Sequence, residues 1–458
     1  MRVAPARNRT AARRVRAAVV TVLLGGFVAL AGACSEGAAP SAAGDPAAAP
    51  TGPSARAGES SGAAAAPTGG APLPPGVSAG IARMLDRRAL AHVTGDEAGY
   101  ASTVADVAGP DGAAQLAAFA AARALGVSFL EVGVPAVEPV VGVEGRWRVE
   151  ADLRYRLGGL DRGDRVARVR YVVEGPGSAS ASGSGWRVVS QGPVGPGASV
   201  PWVAMPELQV RRGEHAVVAG TVSAHRLAEH VGVVDRALPP LRRQWAGAPD
   251  RVLVLAPATP DEADALLGRS SGAGVAPVAA TTEGPTGPAG TATGDRVVLD
   301  PSAHARLTPS GRDVVLTHEL AHVAVRASVP GRPARWLAEG YADHVGYTRA
   351  DVPAKRLLEP LVGRVRADGA PSRLPTADDL DPAHGDLEVA YLAAWQAAEL
   401  VAAEHGENAL RRLVVAGSSR GSDADAEAQT DAALASVLGT TRDELTAAWR
   451  QRLAALTR

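Results

Sequence analysis

The sequence predicts an α+β protein built as two units, a small one and then a larger one. Three observations carry this expectation. Residues 147–157 alternate apolar and charged side chains without a break, the period of a half-buried strand. From Gln209 onward, short apolar runs alternate with helical patterns. After Asp300 the patterning is helical to the last residue.

Length and charge set the outer limits. A chain of 458 residues is long enough for two folded domains plus extensions. Its formal net charge of −1 argues against nucleic acid as a partner, since such binders carry a basic excess. With only 7 Trp, 6 Tyr and 3 Phe, the cores must be built mainly from Ala, Val and Leu. Cys34 is the only cysteine, which excludes an intrachain disulfide and a cysteine-built zinc site.

The first segment reads as an address. Residues 1–16 hold six arginines and no acid, and Ala17–Ala33 is apolar and small. A basic region, a short apolar run and small residues before a cut describe a secretory signal. Ending in Leu30-Ala31-Gly32-Ala33-Cys34, the run resembles a bacterial lipoprotein signal over 1–33, with Ala31 where leucine is usual. The resemblance implies lipidation of Cys34 and a protein outside the cytoplasm, held to the cell membrane by lipid. Residues 34–77 are mostly Ala, Gly, Pro and Ser, too poor in large apolar groups to offset ordering entropy, and are expected to form a tether.

The small unit is expected over 78–200. Helical patterning covers Ser78–Val107 and Ala113–Leu125. In the strand that follows, Val149, Ala151, Leu153, Tyr155 and Leu157 alternate with Glu150, Asp152, Arg154 and Arg156. Val166–Val173 and Trp186–Val189 read as its antiparallel neighbours, joined through a Gly/Ser loop. Helices followed by an antiparallel meander resemble the nuclear transport factor 2-like fold, on the phrase Ala89–Asp106 and the closing Gly185-Trp186-Arg187-Val188-Val189. The unit shows no cluster of acids or histidines suited to catalysis, so a binding or spacer role is expected.

Gly192–Pro201 is Gly/Pro-rich and reads as a linker, and the larger unit is expected over 206–458. Its patterns are a strand from Gln209, a helix over Ala224–Trp245, a strand at Arg251–Ala256 and a helix at Pro260–Leu267. Ser270–Gly294 reads as a mobile loop and Arg296–Asp300 as another strand.

The chemistry is concentrated in 317–343. Thr317-His318-Glu319-Leu320-Ala321-His322 is H-E-x-x-H on a predicted helix over Ser310–Arg326. Residues i and i+4 share one helical face, so His318 and His322 can hold one metal ion. Glu319 lies one step round, placed to act on water rather than to ligate. Catalytic zinc takes three protein ligands, so a third is required. A second predicted helix, Trp336-Leu337-Ala338-Glu339-Gly340-Tyr341-Ala342-Asp343, follows the turn Val329–Pro333. Glu339 can complete the site, and Asp343 on the same face can accept a hydrogen bond from the far nitrogen of a ligating histidine. His344 reads as a surface residue. His92, His215, His225, His230 and His304 show no partner spacing and read as structural or exposed.

This arrangement is similar to the gluzincin metallopeptidases, closest to the peptidase MA-like group, which pairs H-E-x-x-H with W-L-x-E-G-x-A one short helix later. The resemblance extends through a Tyr391-led helix ending at His405-Gly406 and a last helix opened by Thr441 and Glu444 at capping-box spacing. It implies one zinc per chain on His318, His322 and Glu339, with Glu319 as general base. It implies a peptide or protein substrate in the cell envelope, docked along strand Arg296–Asp300. Tyr391 is the candidate oxyanion donor and His384 the reserve. Tyr391 with Trp395 at i+4 also fits a plain core pair. The competing expectation is a peptidase-like lipoprotein that binds or scaffolds without turnover.

Overall fold

The computed structural model describes residue 73 and residues 76–175, 185–194, 199–269, 278–348, 350, 352–381 and 386–458. Cys34, the signal segment, most of the tether and His384 lie outside the described residues. Within them the fold is α+β with two sheets.

The first sheet is fronted by helices α1 (Val77–Thr94), α2 (Glu97–Ala101) and α3 (Pro110–Leu125). Gly95 separates α1 from α2 at φ 75°, a conformation that costs glycine little. Strands β1 (Val127–Pro139), β2 (Arg146–Leu157), β3 (Arg165–Glu174) and β4 (Arg187–Pro193) then form an antiparallel meander in chain order. Sequence reading omitted β1, whose alternation fails at the register shift between Gly133 and Ala136. The alternation in β2 holds as expected. Val149, Ala151, Leu153, Tyr155 and Leu157 are buried, while Asp152 and Glu150 on the other face pair with Arg168 and Arg170 of β3. Those exposed pairs contribute little, on the order of 0–1 kcal/mol each.

The expected linker is a structural element at its C-terminal end. Val200 and Trp202 are buried, the latter in the short helix α4 (Pro201–Ala204), and Met205 follows them into the same core. Within Gly192–Pro201 the Gly/Pro-rich composition concealed Val200, while Trp202 and Met205 lie just past it.

The second sheet has order β5-β6-β7-β9-β8. Its strands are β5 (Gln209–Arg212), β6 (Ala216–Gly220), β7 (Val252–Ala256), β8 (Ala280–Glu283) and β9 (Arg296–Leu299). β6, β7 and β9 run parallel, and β5 and β8 are antiparallel edges. Helices α5 (Ala224–Gln244) and α6 (Pro260–Leu267) make the crossovers. β6 and β7 are buried at every residue, as strands covered on both faces must be. Val218, Val254 and Val297 face the core of the larger unit, whereas Val217, Leu253, Leu255 and Val298 join the core beneath the first sheet. The two units therefore share a core across the second sheet.

Two expectations about this sheet are corrected. Ser270–Gly294 contains strand β8, which is buried through Ala280–Thr282 and pairs with β9. β9 lies between β7 and β8, so Arg296–Asp300 offers no free edge to a peptide, and β8 is the edge instead. The chain reaches β9 only after laying down β8, which returns to pair on its outer side.

The remaining chain is helical. α7 (Pro301–Arg306) leads into α8 (Pro309–Ser328) and α9 (Arg335–Tyr347). They are followed by α10 (Ala354–Leu357), α11 (Glu359–Asp368), α12 (Leu387–His405), α13 (Glu407–Ala416), α14 (Asp423–Ala433) and α15 (Arg442–Ala455). Thr441 and Glu444 make the full capping box at the start of α15. No helix among the described residues is long and apolar enough to cross a membrane.

Candidate metal centre

Helix α8 starts cleanly because Thr308 caps it, its hydroxyl accepting from Gly311 N–H at 3.0 Å, with Pro309 in the first turn. From Val314 to Ala324 every residue is buried. Such burial on all sides makes α8 a core helix, and its polar side chains must find partners there.

The partners of the two histidines come from α9. Gly340 allows the approach of α9 to α12, because a Cβ there would stand 2.4 Å from the Ala394 carbonyl oxygen. Gly346 does the same against α8, where a Cβ would meet Val314 O at 3.1 Å. The glycine in the W-L-x-E-G phrase thus has a packing reason, and it brings its neighbour Glu339 against the two histidines.

His318 Nε2, His322 Nε2 and Glu339 Oε2 form a compact triangle. The sides are 3.1 Å between the imidazoles, 3.2 Å from His322 to Glu339 and 3.4 Å from His318 to Glu339. Three ligands bound tetrahedrally at about 2.0–2.1 Å from zinc stand about 3.3 Å apart, so the spacing and the donor types fit that ion. This buried group can hold a metal ion.

The surrounding groups orient the ligands. His318 Nδ1 lies 2.8 Å from Asp343 Oδ1, so Nδ1–H donates to the carboxylate and the Nε2 lone pair faces the triangle. Burial works against a charged imidazole here, yet Asp343 and Glu339 push His318 up to about 10. Burial likewise opposes ionisation of Glu339, and His322 and His318 hold it well below the usual carboxylate range. A field that attracts a proton to these nitrogens attracts a metal cation as well, and the two compete.

Glu319 is buried beside the triangle and is fixed by a residue that sequence reasoning missed. Thr282, on edge strand β8, donates its hydroxyl to Glu319 Oε2 at 2.6 Å. The one sequence signal was a threonine pair inside a Gly/Thr/Pro-rich stretch, too weak to single out. β8 is in turn tied to the first sheet, since Glu283 forms an ion pair with buried Arg165 of β3.

Tyr391 lies in the second turn of α12, with its ring centroid 6.4 Å from that of His318. Its hydroxyl is buried without a hydrogen-bond partner. Burial, with Glu339 and Asp343 nearby, raises the phenol well above its usual value, so it stays a donor. Trp395 stacks on Tyr347 at 4.3 Å. The structure thus brings together His318, His322, Glu339, Glu319, Asp343 and Tyr391.

His344 is corrected from a surface residue to a buried one. Its Nδ1 lies 2.8 Å from Glu399 and its Nε2 2.9 Å from Glu407, so it clamps α9 to α12 and α13. Both of its ring nitrogens are engaged by these carboxylates. His230 and His304 are also more than isolated residues, being buried edge-to-face at 5.0 Å.

A cavity of about 520 Å³ reaches His322 and Glu339 from outside. Its far walls are the 286–292 loop, the turn around Gly331 and the segment around Arg420. Comparison with known proteins leaves the chain standing by its own geometry: no family model matches it, and no curated protein does.

Proposed function

We propose that the chain is a zinc-dependent peptidase of the gluzincin type, with one zinc held by His318, His322 and Glu339. In this reading 206–458 is the peptidase MA-like unit and 78–200 a nuclear transport factor 2-like unit packed behind it. The observation that carries the proposal is the buried triangle of ligand atoms with a carboxylate, Glu319, fixed beside it by Thr282. A structural pair of histidines needs no third acidic group at ligand spacing and no oriented base.

When bound, zinc supplies Lewis-acid polarisation of the scissile carbonyl and acidifies water. Glu319 takes a proton from the attacking water on its carboxylate and delivers it to the leaving amine. Thr282 holds one oxygen of that carboxylate, which limits its rotation. Asp343 keeps His318 in the tautomer that ligates through Nε2. Tyr391 has a free donor hydroxyl in the same buried region and serves the developing oxyanion. As the edge of its sheet, β8 is the strand against which an extended peptide would dock. In the same reading the N-terminal segment is a lipoprotein signal with Cys34 lipidated, and the activity lies at the outer face of the cell membrane, on substrates of the cell envelope.

Elemental analysis of the purified protein tests the proposal first. Near one zinc per chain, lost in His318→Ala, is the expected result. Glu319→Gln then keeps the zinc and loses peptide hydrolysis. Correctly folded protein that holds no metal overturns the proposal. A Glu319→Gln variant with full biological function moves the reading to a scaffold.

A further inference from the structure

The cavity that leads to the metal centre has a charge pattern the hydrolytic chemistry does not require. Four arginines line it, Arg326, Arg332, Arg335 and Arg420, against two carboxylates, Glu339 and Asp423. Glu339 belongs to the metal triangle. Arg332 is matched by Asp423 at 2.7 Å, and Arg326 by Asp295 at 2.8 Å behind the wall. Arg335, one helical turn before Glu339, has Nε 3.9 Å from Glu339 Oε1. Arg420 is oriented by backbone carbonyls, those of Ala289 and Pro288, which fix the guanidinium without cancelling its charge.

The wall that carries these groups is built from three chain segments stitched through their backbones. Arg332 and Ser419 exchange a reciprocal pair of N–H···O bonds at 2.9 and 2.8 Å. Gly331 N–H donates to Gly290 O at 3.0 Å, and Ala292 N–H donates to Arg326 O at 2.8 Å. Gly331 sits at φ 79°, and a Cβ there would lie 2.1 Å from Ser419 O, so only glycine closes the seam. A cationic wall held by such a seam is pre-organised, and binding an anion to it carries little ordering cost.

We propose that this wall selects substrates bearing a carboxylate near the scissile bond, either an acidic side chain or a free C-terminus, with Arg420 as a specificity-determining contact. The inference rests on the peptidase reading, because it takes the cavity as the substrate's approach to the metal. A guanidinium offers a planar pair of N–H donors matched to a carboxylate. The amide twin of such a substrate leaves those donors unmatched.

The test uses binding, so that it does not depend on turnover. Full-length Glu319→Gln protein, zinc-loaded, is titrated calorimetrically with hexapeptides in matched pairs, one pair differing by Glu against Gln, the other by a free against an amidated C-terminus. At least one carboxylate peptide is expected to bind tenfold or more tightly than its neutral twin. The pair that discriminates identifies the source of the carboxylate. Adding Arg420→Gln is expected to bring that ratio below about threefold, and Arg420→Lys to restore part of it. Equal affinities in both pairs, no binding by any peptide, or a ratio untouched by Arg420→Gln overturns the inference. Hydrolysis by the unaltered protein is measured in parallel. Cleavage without discrimination sinks this inference alone, whereas discrimination without cleavage sinks the peptidase reading alone.

Discussion

Thr282 donates its hydroxyl to Glu319 Oε2 at 2.6 Å, across the seam between edge strand β8 and core helix α8. The contact joins the surface where a peptide would lie to the group proposed to act on water. Glu319 is long and flexible by nature, and this bond removes part of its rotational freedom. Thr282→Val keeps the shape and deletes the donor. We expect kcat for peptide hydrolysis to fall roughly 10- to 100-fold, the usual scale for a supporting contact of this kind. KM and zinc content stay near their original values, and Thr282→Ser recovers most of the rate. Steady-state kinetics with elemental analysis on the same samples checks this.

Asp343 orients His318 without touching the metal position. Replacing it by Ala is expected to weaken zinc binding roughly 10- to 100-fold, and Asp343→Asn less, because the amide oxygen still accepts from Nδ1–H. Competition against a chromogenic chelator measures the change directly.

Gly340 is the contact point between α9 and the α12 backbone. Gly340→Ala forces the helices apart, a form of overpacking that costs about 1–3 kcal/mol. Because Glu339 and Asp343 ride on α9, zinc affinity falls together with the urea midpoint. A variant that loses stability and keeps full affinity would show that α9 is held in place by other contacts.

The buried histidines predict opposite pH slopes. Burial lowers His230 to about 4 and His304 to about 3. Unfolded, each titrates near 6.5, so between pH 6.5 and 4 the unfolded chain binds more protons and stability falls with acid. His230 alone contributes about 3 kcal/mol of this loss, at 1.36 kcal/mol per pKa unit. His344 behaves in the reverse way. Burial opposes its charge, but Glu399 and Glu407 raise its pKa. Its contribution is complete below pH 6.5 and fades as pH rises through its folded value. Urea midpoints across pH should show a shallower acid limb in His230→Phe and a flatter alkaline limb in His344→Gln.

The candidate metal centre was legible because the residues that can hold an ion lie on two helices close in sequence. Helical period alone puts His318 with His322 and Glu339 with Asp343. What could not be read came from pairing between distant segments. Four-residue β8 owes its strand conformation to β9, and its Gly/Thr/Pro surroundings carry no periodic signal, so Thr282 stayed hidden. His344 finds its carboxylates 55 and 63 residues away, beyond any local pattern. Trp202 follows directly on a Gly/Pro-rich stretch and belongs to a four-residue helix, too short to show a period of its own. Only the register with β2 shows β1, which bends where its alternation fails.

The core shared across the second sheet has a consequence for how the chain comes into being. Val217, Leu253, Leu255 and Val298 share a core with many residues that precede residue 206. A chain that emerges N-terminus first therefore presents the cover before the strands that need it. A fragment starting at residue 206 reverses that fortune: it exposes a greasy sheet to water and to its own copies, and is expected to clump where the longer chain stays clear.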